Sequence, residues 1–242
     1  AIAFLTESVR WWDRWLKGIE TGVEDEPMLR AWMQDAASPI LPERPGRWVA
    51  EPSWPSPGVE TWTYHLSPGR IDLAGADRRE EELTIQSPLS VGLFAGKWCS
   101  YAEATDLPND QREEDGGALV FDTLPLEAPV EILGAPVVEL ELSSDKPVAM
   151  VAARLSDVGP GGAVTRVTYG LLNLTHRDDH AEPEELEPGR RYRVRVQLNH
   201  VAQRFPAGHR IRVAISSSYW PLAWPAPESP RLTLFTAGSH VA

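Results

Sequence analysis

From Pro129 onward the chain alternates. In VVELEL, Val138, Leu140 and Leu142 are separated by Glu139 and Glu141. In YRVRVQL, Tyr192, Val194, Val196 and Leu198 are separated by Arg193, Arg195 and Gln197; in RIRVAIS, Ile211, Val213 and Ile215 are separated by Arg212 and Ala214. A period of two sends one set of side chains into a core and the other into water, which a strand does and a helix does not. VAMVAARL (Val148–Leu155), apolar on both faces, is expected to be a central strand. Strands this frequent, with no helical segment between them, predict an all-β antiparallel sandwich or jelly roll.

The first half carries the same signal more weakly. Met28–Gln34, Thr61–Leu66, Glu82–Gln86 and Ala118–Asp122 read as strands, whereas Arg47–Pro57 is too rich in proline for a central one. The 22 prolines and 18 glycines are spread along the chain as turn punctuation. Phe4–Leu16 reads as a helix with Trp11, Trp12 and Trp15 on its apolar side, Thr6 or Ser8 as cap and Gly18 as stop. That stripe wants either its own domain or another surface to pack on. With 242 residues, 42% of them hydrophobic, the chain can bury one large β domain or two small ones.

Charge and cysteine content narrow the partners. The net charge of −12 repels a nucleic-acid duplex and an anionic membrane surface, so neither is expected as a partner. Apolar runs of the length of VAMVAA fall far short of the ~20 residues of a membrane span. AIAFLTESVRWWDRW lacks the basic and apolar regions of a signal peptide. Cys99 is the sole cysteine, which excludes an intrachain disulfide and fits a reducing, cytoplasmic setting. A start at Ala1 rather than methionine reads as a segment of a longer protein.

The search for chemistry starts at RFPAGHRIRVAISSSYWPLAWP (Arg204–Pro225). Its serines Ser216–Ser218 form a strand exit and His209 a strand entrance, roughly 30 Å apart along one extended segment, so they cannot meet within it. Neither G-x-S-x-G nor G-x-S-x-x-G occurs, and no catalytic residue is assigned. Cys99 reads as a small buried hydrophobe rather than a nucleophile. HRDDH (His176–His180) reads as an exposed acidic loop rather than a metal pair. DLPNDQREEDGG (Asp106–Gly117) fails the EF-hand template, with Pro108 and Gln111 where that template needs a ligand and glycine; Asp110 and Arg112 are expected to pair locally. No metal and no cofactor are therefore expected. Trp98, Tyr101, Trp220 and Trp224 serve either as rim packing or as a sugar-stacking platform.

Five stretches taken together resemble the C-terminal domain of the X-prolyl dipeptidyl-peptidase and cocaine-esterase (CocE/NonD) acyl hydrolases. They are RWWDRWLKG (Arg10–Gly18), PMLRAWMQ, RWVAEPSWPSP, LPNDQREEDGGALVFDTLPLEAPVEILGAPVVEL and FPAGHRIRVAISSSYWP, in that order. The resemblance implies a jelly-roll, galactose-binding-like β-sandwich over residues 21–242. It assigns the helix of residues 1–20 to, or against, an α/β-hydrolase domain of the same parent protein, which would carry the serine, aspartate and histidine. It transfers no catalytic residue to this chain, and it sets Trp98 and Tyr101 toward the substrate. The alternative is a stand-alone carbohydrate-binding module; an enzyme built on Cys99 is a third option. Assembly into a homo-oligomer stays open.

Overall fold

The computed structural model describes residues 3–41, 43–73, 79–99 and 103–242. It divides into two compact units, residues 1–32 with 48–60 and residues 33–47 with 61–242.

In the smaller unit, α1 (Phe4–Lys17) precedes a 3-10 turn at Val23–Asp25. Gly18 ends α1 in the left-handed conformation, its amide returning to the Arg14 carbonyl, because a residue without Cβ takes that turn at little cost. Neither Thr6 nor Ser8 caps the helix. It begins earlier than the cap reading requires, and Ser8 Oγ lies inside it, donating to the Phe4 carbonyl at 2.8 Å. Arg10 pairs with Glu7 and Glu26, and Arg14 with Glu20 and Glu24. The charged side of α1 thus faces its own unit, while Leu5, Val9, Trp12 and Leu16, at one helical spacing, are exposed. Trp32 and Trp48 meet edge to face at 5.4 Å. Strands β1 (Leu29–Gln34) and β2 (Gly46–Glu51) straddle the boundary between units; β2 stops just before Pro52, as the proline rule requires.

The larger unit holds β3 (Tyr64–Ser67), β4 (Arg70–Asp72), β5 (Glu82–Ile85), a one-turn helix α2 (Arg112–Asp115), β6 (Leu119–Asp122), β7 (Val130–Gly134), β8 (Val137–Ser144), β9 (Met150–Val158) and β10 (Val164–Asn173). It ends with β11 (Tyr192–Gln197), β12 (Val201–Phe205), β13 (Arg210–Ser216) and β14 (Leu232–Val241). The main sheet runs β10-β9-β13-β6-β4-β3-β14-β8-β11, with β5 added to β14. Its β4–β6 link is parallel and rests on one pair, Arg70 with Asp122. The halves on either side share one core: Phe121, Leu155 and Ile215 from one meet Leu140, Val194 and Leu234 from the other. A smaller sheet pairs β12 with β7 and takes Gln34 on its other side. The sandwich expected from the alternation is therefore the fold.

The period of two holds in β8 and β11; in β13 Ala214, expected on the wet face, is buried, because that strand lies inside the sheet between β9 and β6. Val138, Leu140 and Leu142 of β8 are buried while Glu139 and Glu141 stay half-exposed. All nine residues of β9 are buried, and β9 sits inside the sheet between β10 and β13. One of the nine is Arg154, a charged side chain that burial on both faces forces to find partners.

Candidate functional site

The serine run is part of the buried scaffold. Ser216, Ser217 and Ser218 are all buried. Ser216 Oγ donates to the Ser218 carbonyl at 2.9 Å; Ser217 Oγ accepts the Ser87 amide, and Ser87 Oγ accepts the Ser217 amide, both at 2.9 Å. These hydroxyls stitch β13 to the segment entering the 88–98 loop. His209 Nδ1 lies 2.8 Å from Asp157 Oδ1, and burial holds the Asp157 carboxyl above the usual range despite that bond. Among the described residues no serine joins the pair, so it lacks a nucleophile.

The other candidates resolve likewise. His176 and His180 stack at 5.6 Å, but Asp178 is paired with Arg177 and Asp179 accepts the Ala181 amide. No group of three or more metal-binding side chains stands together among the described residues. Cys99 is exposed, not the buried hydrophobe the sequence suggested, because it lies on the projecting loop beyond Trp98 instead of in a strand. A cavity of about 240 Å³ opens beside Arg44, Asp157, Thr165, Arg166, Thr168 and Gln203. Several of its polar groups are engaged within the protein: Thr165 Oγ1 donates to the Ala37 carbonyl, Thr168 Oγ1 to that of Asn199, and Arg166 to Tyr219 Oη. It presents no preorganised ligand set.

What the larger unit does present is a projecting apolar rim. Trp98 is 81% exposed, and Leu89, Leu93 and Phe94 are exposed beside it in sequence. Tyr101, its expected companion, lies outside the described residues. The Trp220 and Trp224 rings meet tilted at 50° with centres 4.8 Å apart, Trp224 being 81% exposed. The two loops run backbone against backbone: the Trp220 amide donates to the Val91 carbonyl at 3.1 Å. A Cβ on Gly92 would lie 1.9 Å from the Trp220 carbonyl oxygen, and the glycine's φ of +118° is one that L side chains rarely adopt.

Beneath the rim lies a network of buried charge drawn from DQREEDGG. Asp110 and Arg112 pair as expected, and the Asp110 carboxylate also accepts the amides of Arg112 and Val164. Burial opposes ionisation, but these bonds outweigh it and draw the Asp110 carboxyl below the usual range. Glu114, whose side chain is fully buried, accepts the amides of Gly92 and, at 2.6 Å, Phe94. Arg154 reaches Asp115 at 3.2 Å and Glu114 at 3.7 Å, with its guanidinium 5.4 Å from the Tyr219 ring centre. Burial raises the Asp115 carboxyl above the usual range even beside Arg154 and Arg212. Hydrogen bonds to Asp122 and Asp115 push the Arg212 guanidinium higher still. Sequence reasoning overlooked Glu114, Asp115, Arg154 and Arg212 as a set. The available signal was Arg154 itself, a lone charge in a run otherwise apolar on both faces.

The family model for the X-Pro dipeptidyl-peptidase C-terminal non-catalytic domain matches residues 21–241. A Mycobacterium bovis protein that carries a serine-esterase name is 27% identical over 234 residues, covering 88% of this chain and 36% of its own length. The cocaine esterase of a Rhodococcus species is 24% identical over 221 residues, covering 86% and 37%. The chain thus spans little more than a third of these curated relatives. Among solved structures, an aminopeptidase from a marine-sediment Thaumarchaeota archaeon superposes with a TM-score of 0.77 at 19% identity, over 96% of this chain and 42% of that one. A CocE/NonD family hydrolase from Staphylococcus aureus gives 0.74 at 14% identity, over 100% and 45%. At those identities the two structures establish the fold alone, and it is the family model that assigns the chain: it belongs to the X-Pro dipeptidyl-peptidase C-terminal non-catalytic domain family.

Proposed function

We propose that this chain serves as the non-catalytic β-sandwich domain of a larger serine hydrolase, of acyl-ester or X-Pro-peptide type, and that its rim walls the substrate cleft. The observation that carries the reading is the pairing of a bare apolar surface at Leu93, Phe94 and Trp98 with a rigid support of buried ion pairs beneath it. Exposed aromatic patches of this kind mark contacts, and ligand sites are lined by apolar and aromatic side chains. On an α/β-hydrolase domain of the parent, the serine attacks the ester or amide carbonyl while the histidine moves the proton. Trp98 supplies a flat wall for the acyl or prolyl group and keeps water from it. The bare stripe of α1, Leu5, Val9, Trp12 and Leu16, belongs against that same catalytic domain.

Three measurements test this. The chain alone, given p-nitrophenyl acetate, shows no turnover sensitive to a serine-directed phosphonate; sensitive turnover overturns the non-catalytic role. In the parent enzyme Trp98→Ala raises KM for an acyl substrate while kcat holds, and an unchanged KM removes Trp98 from the cleft. Titration with simple sugars gives no binding; saturable binding that Trp98→Ala or Trp224→Ala abolishes favours a carbohydrate-binding module instead.

A further inference from the structure

We propose that Glu114 is a positioning residue, a buried carboxylate clamp that fixes which side chains of the 88–98 loop face the substrate. This rests on the cleft-wall reading above and gives that wall its geometry.

Glu114 accepts two amides two residues apart, Gly92 and Phe94. The intervening Leu93 amide turns elsewhere, to the Ser90 carbonyl at 3.2 Å, and the Leu93 side chain projects outward, 61% exposed. The Phe94 carbonyl is held as well, by Gln111 Nε2 at 3.1 Å and by the Asn109 amide at 3.0 Å. Gly96 closes the turn at a φ of +73°, where a Cβ would stand 2.6 Å from the Asp106 carbonyl oxygen. The Gly92 and Phe94 amides are therefore set from below by Glu114 of α2, and the Phe94 carbonyl by Asn109 and Gln111 just before it.

A buried carboxylate is an expensive way to hold a loop, since apolar packing of equal volume is often as stable or more so. What a carboxylate adds is direction: charge-assisted bonds to backbone amides are short and geometrically demanding. Arg154 offsets the charge from the opposite side without reaching the loop itself. The clamp thus converts a strand-borne arginine and a one-turn helix into a fixed presentation of Leu93 and Phe94.

The test is Glu114→Gln, which keeps shape and removes charge, together with the charge-neutral double variant Glu114→Gln/Arg154→Met, which leaves no lone buried ion if the single variant folds poorly. In the chain itself, the Gly92 and Phe94 amide protons are expected to shift upfield and to exchange ~10-fold or more faster, while β9 and β13 amides keep their rates. In the parent enzyme, KM for an acyl substrate rises ~3-fold or more at unchanged kcat. Absent loosening, or loosening spread evenly over β9 and β13, overturns the clamp. Local loosening with an unchanged KM leaves the clamp in place but overturns the cleft-wall reading, and with it the positioning role.

Discussion

Arg212 grips Asp122 through both carboxylate oxygens, Nε to Oδ1 at 2.6 Å and Nη2 to Oδ2 at 2.7 Å. Its remaining nitrogen reaches Asp115 at 2.8 Å. Asp115 in turn meets Arg154, so a chain of alternating charge runs from the sheet surface at β6 and β13 to the buried base of the rim. Its links differ in what they cost to break, because a charge left alone in a dry interior is far more destabilising than the intact pair is stabilising.

Arg154→Ala strands Glu114 in the core and leaves Asp115 with Arg212 as its partner. The expected loss is about 3–5 kcal/mol of unfolding free energy, read from urea denaturation. A loss below about 1 kcal/mol contradicts the account of Arg154 as the counter-ion.

Gly92→Ala places a methyl group against the Trp220 carbonyl and demands a backbone conformation alanine resists. A destabilisation of about 1–3 kcal/mol is expected, with faster amide exchange in the 88–98 and 219–225 segments. A substitution at Gly161, where a Cβ meets nothing within 4 Å, is the neutral control.

Asp110 gives the fold a pH dependence of definite sign. Its folded-state pKa is depressed, so the stability it adds is complete above the free aspartate value of about 3.9 and disappears as pH falls through the depressed folded value. The stability gap between the native chain and Asp110→Asn should therefore be widest near neutrality and shrink as the solution is acidified below that range. Thermal melts across the acid limb check it; a gap that widens with acid reverses the sign and refutes the assignment.

Trp98→Ala should leave stability within about 0.5 kcal/mol of the native value, because the ring is 81% exposed. Phe121→Ala, at 1% exposure in the shared core, should cost about 3–5 kcal/mol. Denaturation midpoints of the two variants, side by side, separate the presenting surface from the scaffold.

Strand identity was local information. Val138, Leu140 and Leu142 alternate with glutamates, and a strand is the conformation that buries the first set and wets the second, so β8, β11 and β13 could be read directly from the chain. Strands lacking clean alternation, such as β7, β12 and β14, were passed over because their burial comes from neighbours far away in sequence. The fate of polar side chains was decided only by tertiary structure. Three serines in a row look reactive until the fold buries all three, with Ser216 Oγ and Ser217 Oγ taken up in hydrogen bonds to the backbone. Glu114, which looks like one more solvated acid in QREED, becomes the buried anchor of a loop because β9 brings Arg154 beneath it. Alternation fixes which way a side chain points, but whether a charge meets water or an opposite charge depends on which strands become neighbours, and that is settled by long-range pairing.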